Sequence, residues 1–174
     1  MATWIFEPGH TEAEFRARHM MVSWVRGLFK DIHGRLELDW DQCLDATFEG
    51  EIDAAGIWTG QPERDEHLRS ADFFDVEHDP LITFKSTKIV QTGPTTFDVP
   101  GTFTIRGVSK PETLTLAVSG VGTGSGDIKG TMAFDRKDYG MNSGIPFITI
   151  ANRVEVSVNL GWKRISGAPP AFEQ

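Results

Sequence analysis

Apolar and polar residues alternate with a period of two through most of this chain. In the first clear run Ala13, Phe15, Ala17 and His19 share one parity, and Glu12, Glu14, Arg16 and Arg18 share the other. Such a run is a strand with one dry face and one wet face. The pattern returns with Leu36, Leu38 and Trp40, then with Ala46, Phe48, Gly50 and Ile52, then with Ile82, Phe84 and Ser86. It continues through Phe97, Val99, Gly101, Phe103 and Ile105, through Leu114, Leu116 and Val118, and through Ile128, Gly130, Met132 and Phe134. Val154, Val156, Val158, Leu160 and Trp162 form the last run. These runs predict eight strands, several about ten residues long and so roughly 33 Å in extent. The parities of Phe29 and Leu36 disagree, which predicts a bulge or bend near Asp31 and Ile32.

Two short helices are expected between the strands. Met21, Trp24 and Val25 stand at helical spacing within residues 20–25, and Gly27 would end that turn. A second helix is expected to start at Pro62, with Glu63, Asp65 and Glu66 on its positive end, Arg69 near its close and Leu68 as its inward anchor. The string from Thr104 to Pro111 is expected to end one strand, turn at Gly107 and begin the next at Pro111.

Long antiparallel strands with one apolar face must cover that face, and there is too little helix here to do so. The expected class is therefore all-β, an eight-stranded antiparallel barrel or two-layer sandwich with one or two short flanking helices. Its inward list mixes small residues (Ala13, Ala17, Ala46, Gly50, Gly101, Gly130) with large ones (Phe15, Phe48, Phe84, Phe103, Met132, Phe134). Such a list is compatible with an interdigitated solid core and equally with a cavity for one small ligand.

Composition narrows the partners. The 174 residues suit one domain, expected over 1–165 with a polar tail at 166–174. With 17 Lys+Arg against 25 Asp+Glu the formal charge is −8, which argues against nucleic acid as a default partner. Cys43 is the lone cysteine, so no internal disulfide is expected. No run is long and apolar enough for an integral membrane segment, and the start lacks a basic region followed by an apolar one. As written, the chain is expected in the cytoplasm, or in the periplasm or outside the cell if a leader has been removed.

The candidate chemistry is sparse. The histidines (His10, His19, His33, His67, His78) lack the helical or strand spacing of a metal site, and the glycines lack phosphate-loop spacing. No metal and no cofactor is expected. Arg64-Asp65-x-His67 is read as a set of charges pinning a helix to the barrel, with an acid–base role as the alternative. His19, at the end of a strand beside Arg18, could meet a polar or anionic head group, and Met20, Met21 and Trp24 could line or gate the barrel mouth.

Several strings occur in one order. They are Trp4…Glu7-Pro8-Gly9-His10-Thr11, Phe15-x-Ala17-Arg18-His19, Val25-x-Gly27-x-Phe29, and Arg64-Asp65-x-His67-Leu68-Arg69-Ser70-x-Asp72-Phe73-Phe74-Asp75. They continue as Pro80-x-Ile82-Thr83-Phe84-Lys85-Ser86-Thr87, Gly101-Thr102-Phe103-Thr104-Ile105-Arg106-Gly107-Val108-Ser109-Lys110-Pro111 and Asp135-Arg136-x-Asp138-Tyr139-Gly140. In order and spacing, over about residues 3–162, the chain resembles the YceI-like family of polyisoprenoid-binding, lipocalin-like proteins. The resemblance implies an extended lipocalin-like barrel with a helix at its side, around a long apolar tunnel that holds an isoprenoid or fatty amphiphile. It implies binding and not catalysis.

The expected ligand contacts are Phe15, Ala17, His19, Met21, Trp24, Phe29, Phe48, Phe84, Phe103, Ile105, Met132 and Phe134. Bulk at Gly101, as in Gly101→Phe, is expected to block uptake without unfolding the barrel. The alternatives are an enzyme for a small hydrophobic substrate with His19 or His67 as base, and an interaction module that forms a homodimer.

Overall fold

The structure is a computed structural model that describes residues 2–20, 23–38, 46–119, 125–144 and 150–166. The strands are β1 (Ala2–His19), β2 (Ser23–Lys30), β3 (His33–Leu38), β4 (Thr47–Asp53) and β5 (Leu81–Ser86). They continue with β6 (Val90–Gln91), β7 (Thr96–Ile105), β8 (Val108–Ser119), β9 (Ser125–Asp135) and β10 (Ile150–Ser166). Among the described residues one α-helix, α1 (Pro62–Arg69), lies between β4 and β5. All the ladders are antiparallel, in the order β10-β9-β8-β7-β5-β4-β3-β1-β2, and the sheet closes on itself where β10 meets β1. The two-residue β6 is a side pairing on β7.

The barrel has eight walls because β2 and β3 share one. Glu12–His19 of β1 pair with β2, while Ala2–Ile5 of the same strand pair with β3. Between them Asp31 adopts φ 59°, and the buried positions change parity from Phe29 to Ile32 and Leu36. This is the bend expected from the mismatch of Phe29 and Leu36. A shift in the facing strand matches it: the β1–β10 register slips between Phe6 and Thr11. Buried Thr11 holds the bend, its Oγ1 accepting from Ile32 N at 2.7 Å.

Among the described residues, the expected helix over residues 20–25 is not there. Met20 is a turn residue with φ 51°, and Ser23 to Val25 pair with His19 to Ala17 in a hairpin. Met21 lies outside the described residues. Gly27 does not end a helix but faces inward within β2, where a Cβ would stand 2.5 Å from Ile57 Cδ1. The second helix is as expected, with Pro62 in its first turn and Leu68 buried. The turn after β7 is Arg106–Gly107, both with positive φ, so β8 begins at Val108 and Pro111 sits inside it opposite Thr102. That is the two-residue hairpin loop that matches strand twist. β10 runs to Ser166, and the rest of the expected tail, like Cys43, lies outside the described residues.

The small inward residues do not all leave space. A Cβ on Gly101 would meet the Lys85 carbonyl oxygen at 2.5 Å and Phe84 Cζ at 2.7 Å; on Gly130 it would meet Val158 Cγ2 at 2.8 Å and Leu116 Cδ2 at 2.9 Å. Neighbouring side chains and strands already occupy these gaps, so Gly101→Phe would break the wall rather than plug an open bore. Even Gly101→Ala is expected to destabilise the protein by about 1–3 kcal/mol through overpacking. A denaturant melt indistinguishable from that of the unaltered protein would show that β5 and β7 yield more easily than their contacts imply.

Candidate functional site

The half of the barrel near the end of β1 is not closed by strands alone. β3 pairs with β4, but β2, the other half of the same wall, pairs with β1 on one side and carries only the isolated bridge Leu28–Trp58 on the other among the described residues. The connection from Ala54 to Pro80 fills this gap. Ile57 packs against Gly27, Leu68 points in from α1, and Phe73 and Phe74 follow it inward.

Polar side chains pin this connection from outside. Buried Asp65 accepts from Thr59 N at 2.8 Å and from Thr59 Oγ1; Arg64 donates to Thr59 Oγ1 and to the Thr59 carbonyl. Arg69 donates to the carbonyls of Ala55 and Ile57, and Arg106 to that of Ala71. His67 bonds Asp72 at 2.8 Å and sets its ring edge-on to Phe73. The Arg64-Asp65-x-His67 string is thus spent on holding the helix.

Inside, two apolar cavities follow one another along the barrel. The upper one, about 70 Å³, lies beneath α1 between Phe15, Ala17, Gly27, Leu68, Phe74 and Phe134. The lower one, about 60 Å³, lies among Phe48, Gly50, Phe84, Phe103, Met132 and Val156. Phe15 borders both and divides them. Its ring meets Phe29 at 5.1 Å, Phe134 at 6.0 Å and Phe74 at 6.4 Å, all edge-on, the favoured aromatic geometry. The tunnel implied by the resemblance is therefore interrupted. At the far end Trp4 and Trp162, 1% and 2% exposed, meet edge-to-face at 6.3 Å and stopper the barrel.

Of the expected contacts, Phe15, Ala17 and Phe134 line the upper cavity, and Phe48, Phe84, Phe103 and Met132 line the lower one. Phe29 and Ile105 are fully buried and border neither cavity. Trp24 faces outward, because its partner position is Arg18 and not Ala17. It lies between the guanidinium groups of Arg16, at 4.7 Å, and Arg18, at 4.5 Å. His19, half-buried at the hairpin, stands near Ser23 Oγ and borders neither cavity. Leu68, expected as the inward anchor of α1, lines the upper cavity too; alternation could not find Phe73, Phe74 or Met141, which reach it from the connections.

Arg136 was missed as well. It opens the 3-10 turn Arg136–Tyr139 at the end of β9, is 6% exposed, and borders the upper cavity. Burial pushes its guanidinium below the ordinary arginine range, with Asp135 opposing the shift. Its neighbour Tyr139 is held well above the usual phenol range by burial and by its bond to Glu112 at 3.0 Å. A cation beside an acid reads as a surface pair in sequence. Only the fold shows it facing apolar space.

Comparison with known proteins agrees with this architecture. A UPF0312 protein of Azotobacter vinelandii is 34% identical over 116 residues, which cover 67% of this chain and 60% of that protein's length. Burkholderia cenocepacia BcnA superposes with TM-score 0.80 at 20% identity, over 90% of this chain and 98% of the other. A polyisoprenoid binding domain from Saccharophagus degradans, implicated in plant cell wall breakdown, superposes with TM-score 0.74 at 16% identity, over 93% and 98%. At these identities the two superpositions establish the fold. A YceI-like domain is matched over residues 4–162, almost the full barrel, and the chain belongs to the YceI-like family.

Proposed function

We propose that the barrel takes up the apolar chain of a single-tailed amphiphile, an isoprenoid or a fatty tail, and carries or sequesters it. The observation that carries this reading is the pair of apolar cavities in line beneath α1, parted by the single ring of Phe15 and closed at the far end by Trp4 and Trp162. The polyisoprenoid binding domain with the same fold supports it.

The cavities as they stand are smaller than such a guest, so uptake requires Phe15 to swing aside and join them. Burial provides the drive. Each buried methylene is worth about 0.8 kcal/mol, so each isoprene unit contributes roughly 3–4 kcal/mol before the costs of ordering the chain and moving the ring. Walls of this kind distinguish length and branching better than functional groups. Neither His19 nor His67 borders either of these two cavities, and His67 is engaged with Asp72, which favours binding over catalysis.

Native mass spectrometry after gentle purification is expected to show a lipid adduct, and a fluorescent-lipid titration to saturate at one guest per chain. A protein that repeatedly emerges without adduct and takes up no probe would overturn the reading.

A further inference from the structure

We propose that Arg136 anchors the head group of the guest, so that the upper cavity selects amphiphiles ending in an anion, a carboxylate or a phosphate monoester. This rests on the lipid-binding reading above and adds to it the chemistry of the head and the direction of entry.

The guanidinium is held but not neutralised. Nε donates to the Ala151 carbonyl at 3.2 Å, and Nη1 donates to the carbonyls of Met141 at 2.5 Å and Ser143 at 2.9 Å. Nη2 has no acceptor among the described residues, and no carboxylate there pairs with the group. The adjacent Asp135 turns its carboxylate to Lys137 N, at 2.9 Å. Arg16, the other arginine bordering this cavity, is by contrast paired with Glu155 at 2.9 Å. Arginine stays protonated in proteins, so Arg136 carries its charge at 6% exposure against apolar walls. Carbonyl oxygens satisfy its donors without cancelling that charge, and an unpaired buried cation is costly.

The arrangement also orients the guest. Arg136 sits at the α1 end, whereas no charged side chain among the described residues borders the lower cavity, which ends toward the tryptophan stopper. A tail pointing down leaves its head at Nη2, where an anionic oxygen accepts a charge-assisted hydrogen bond. Carboxylates and phosphate monoesters both offer that oxygen, and one set of titrations separates them.

The test compares heads on constant tails: farnesyl phosphate against farnesol, and oleate against oleyl alcohol, by displacement of a fluorescent lipid at pH 8. The unaltered protein is expected to bind an anionic member at least about 10-fold tighter than its alcohol. The pair showing the larger preference identifies phosphate or carboxylate as the natural head. In Arg136→Met the preference is expected to fall to within about 2-fold, with alcohol binding retained, because only the head contact is lost. That substitution also removes three carbonyl bonds, so the comparison within the unaltered protein stands as the independent arm. Equal affinities for anion and alcohol there, or a preference that survives in folded Arg136→Met, would overturn the proposal while leaving lipid binding intact. Failure of all four compounds to displace the probe would instead bring down the lipid-binding reading itself.

Discussion

Phe15→Ala is expected to lower the stability of the empty barrel by about 3–5 kcal/mol, the usual cost of deleting a fully buried aromatic ring. In a chain of this length that corresponds to a fall in Tm of roughly 6–20 °C. The size of the effect follows from position. Phe15 is 6% exposed and touches three other rings, and its neighbours are anchored in different elements: Phe29 in β2, Phe74 in the connection over the mouth, Phe134 in β9. They cannot all collapse into the space it leaves. The same deletion merges the upper and lower cavities into one bore. A guest that must otherwise displace the ring then enters a space already made, so ligand should raise the Tm of Phe15→Ala by more than it raises that of the unaltered protein. Thermal melts with and without an isoprenoid alcohol measure both quantities. A variant of normal Tm, or one whose melt is indifferent to ligand, would mean that Phe15 is not the partition.

The second large effect is expected at Gly50, with the opposite balance. A Cβ there has room: its nearest neighbours would be the His33 carbonyl oxygen at 3.8 Å, with Ile32 Cγ2 and Phe6 Cε2 at 3.9 Å. Gly50 borders the lower cavity, and its side chain would project into it. Gly50→Leu should therefore fill that cavity with the protein's own atoms, and stability should hold or rise by about 0.5–2 kcal/mol, as cavity-filling changes commonly do. Uptake of a long tail should fall about 10-fold or more, since roughly 1.4 kcal/mol of lost burial suffices for a factor of ten. Paired melts and fluorescent-lipid titrations decide it. Unchanged affinity in a folded Gly50→Leu would place the tail elsewhere.

The contrast between Gly50 and Gly101 shows where sequence reading stops. Both stand on the inward parity of a strand, and alternation treats them alike. Whether a glycine leaves a hole depends on what crosses the gap from a neighbouring strand: at Gly101 the Lys85 carbonyl and the Phe84 ring come within 2.5 and 2.7 Å of a Cβ, while at Gly50 the nearest atoms stand back at 3.8–3.9 Å. The strands from β3 onward, apart from the two-residue β6, were legible because one dry face imposes strict parity, and even the bend at Asp31 could be inferred from a parity conflict. The hairpin over residues 19–23 was not. Met21, Trp24 and Val25 happen to fall at helical spacing, while the pairing of Trp24 with Arg18 that puts Trp24 and Val25 in a strand is set across the turn. The cavity walls divide in the same way. Phe48, Phe84, Phe103 and Met132 come from strands and were found by alternation. Leu68 was expected as the inward anchor of its helix, but Phe73, Phe74, Arg136 and Met141 come from connections, where no period links side chain to interior.

The seam between β1 and β10 bears on how the molecule is made. Phe15 faces Val156 and Phe6 faces Trp162, so β1 leaves the ribosome well before the strand it must pair with. At about 5–20 residues per second that wait is roughly 10–30 s, during which a greasy, half-curled sheet stays open along one border. Closure is thus a late, long-range step of the kind that slows folding. A nascent chain stalled before Ile150 would offer its bare edge to other stalled copies, so production of this protein should be unusually sensitive to translational pausing just before β10 is made.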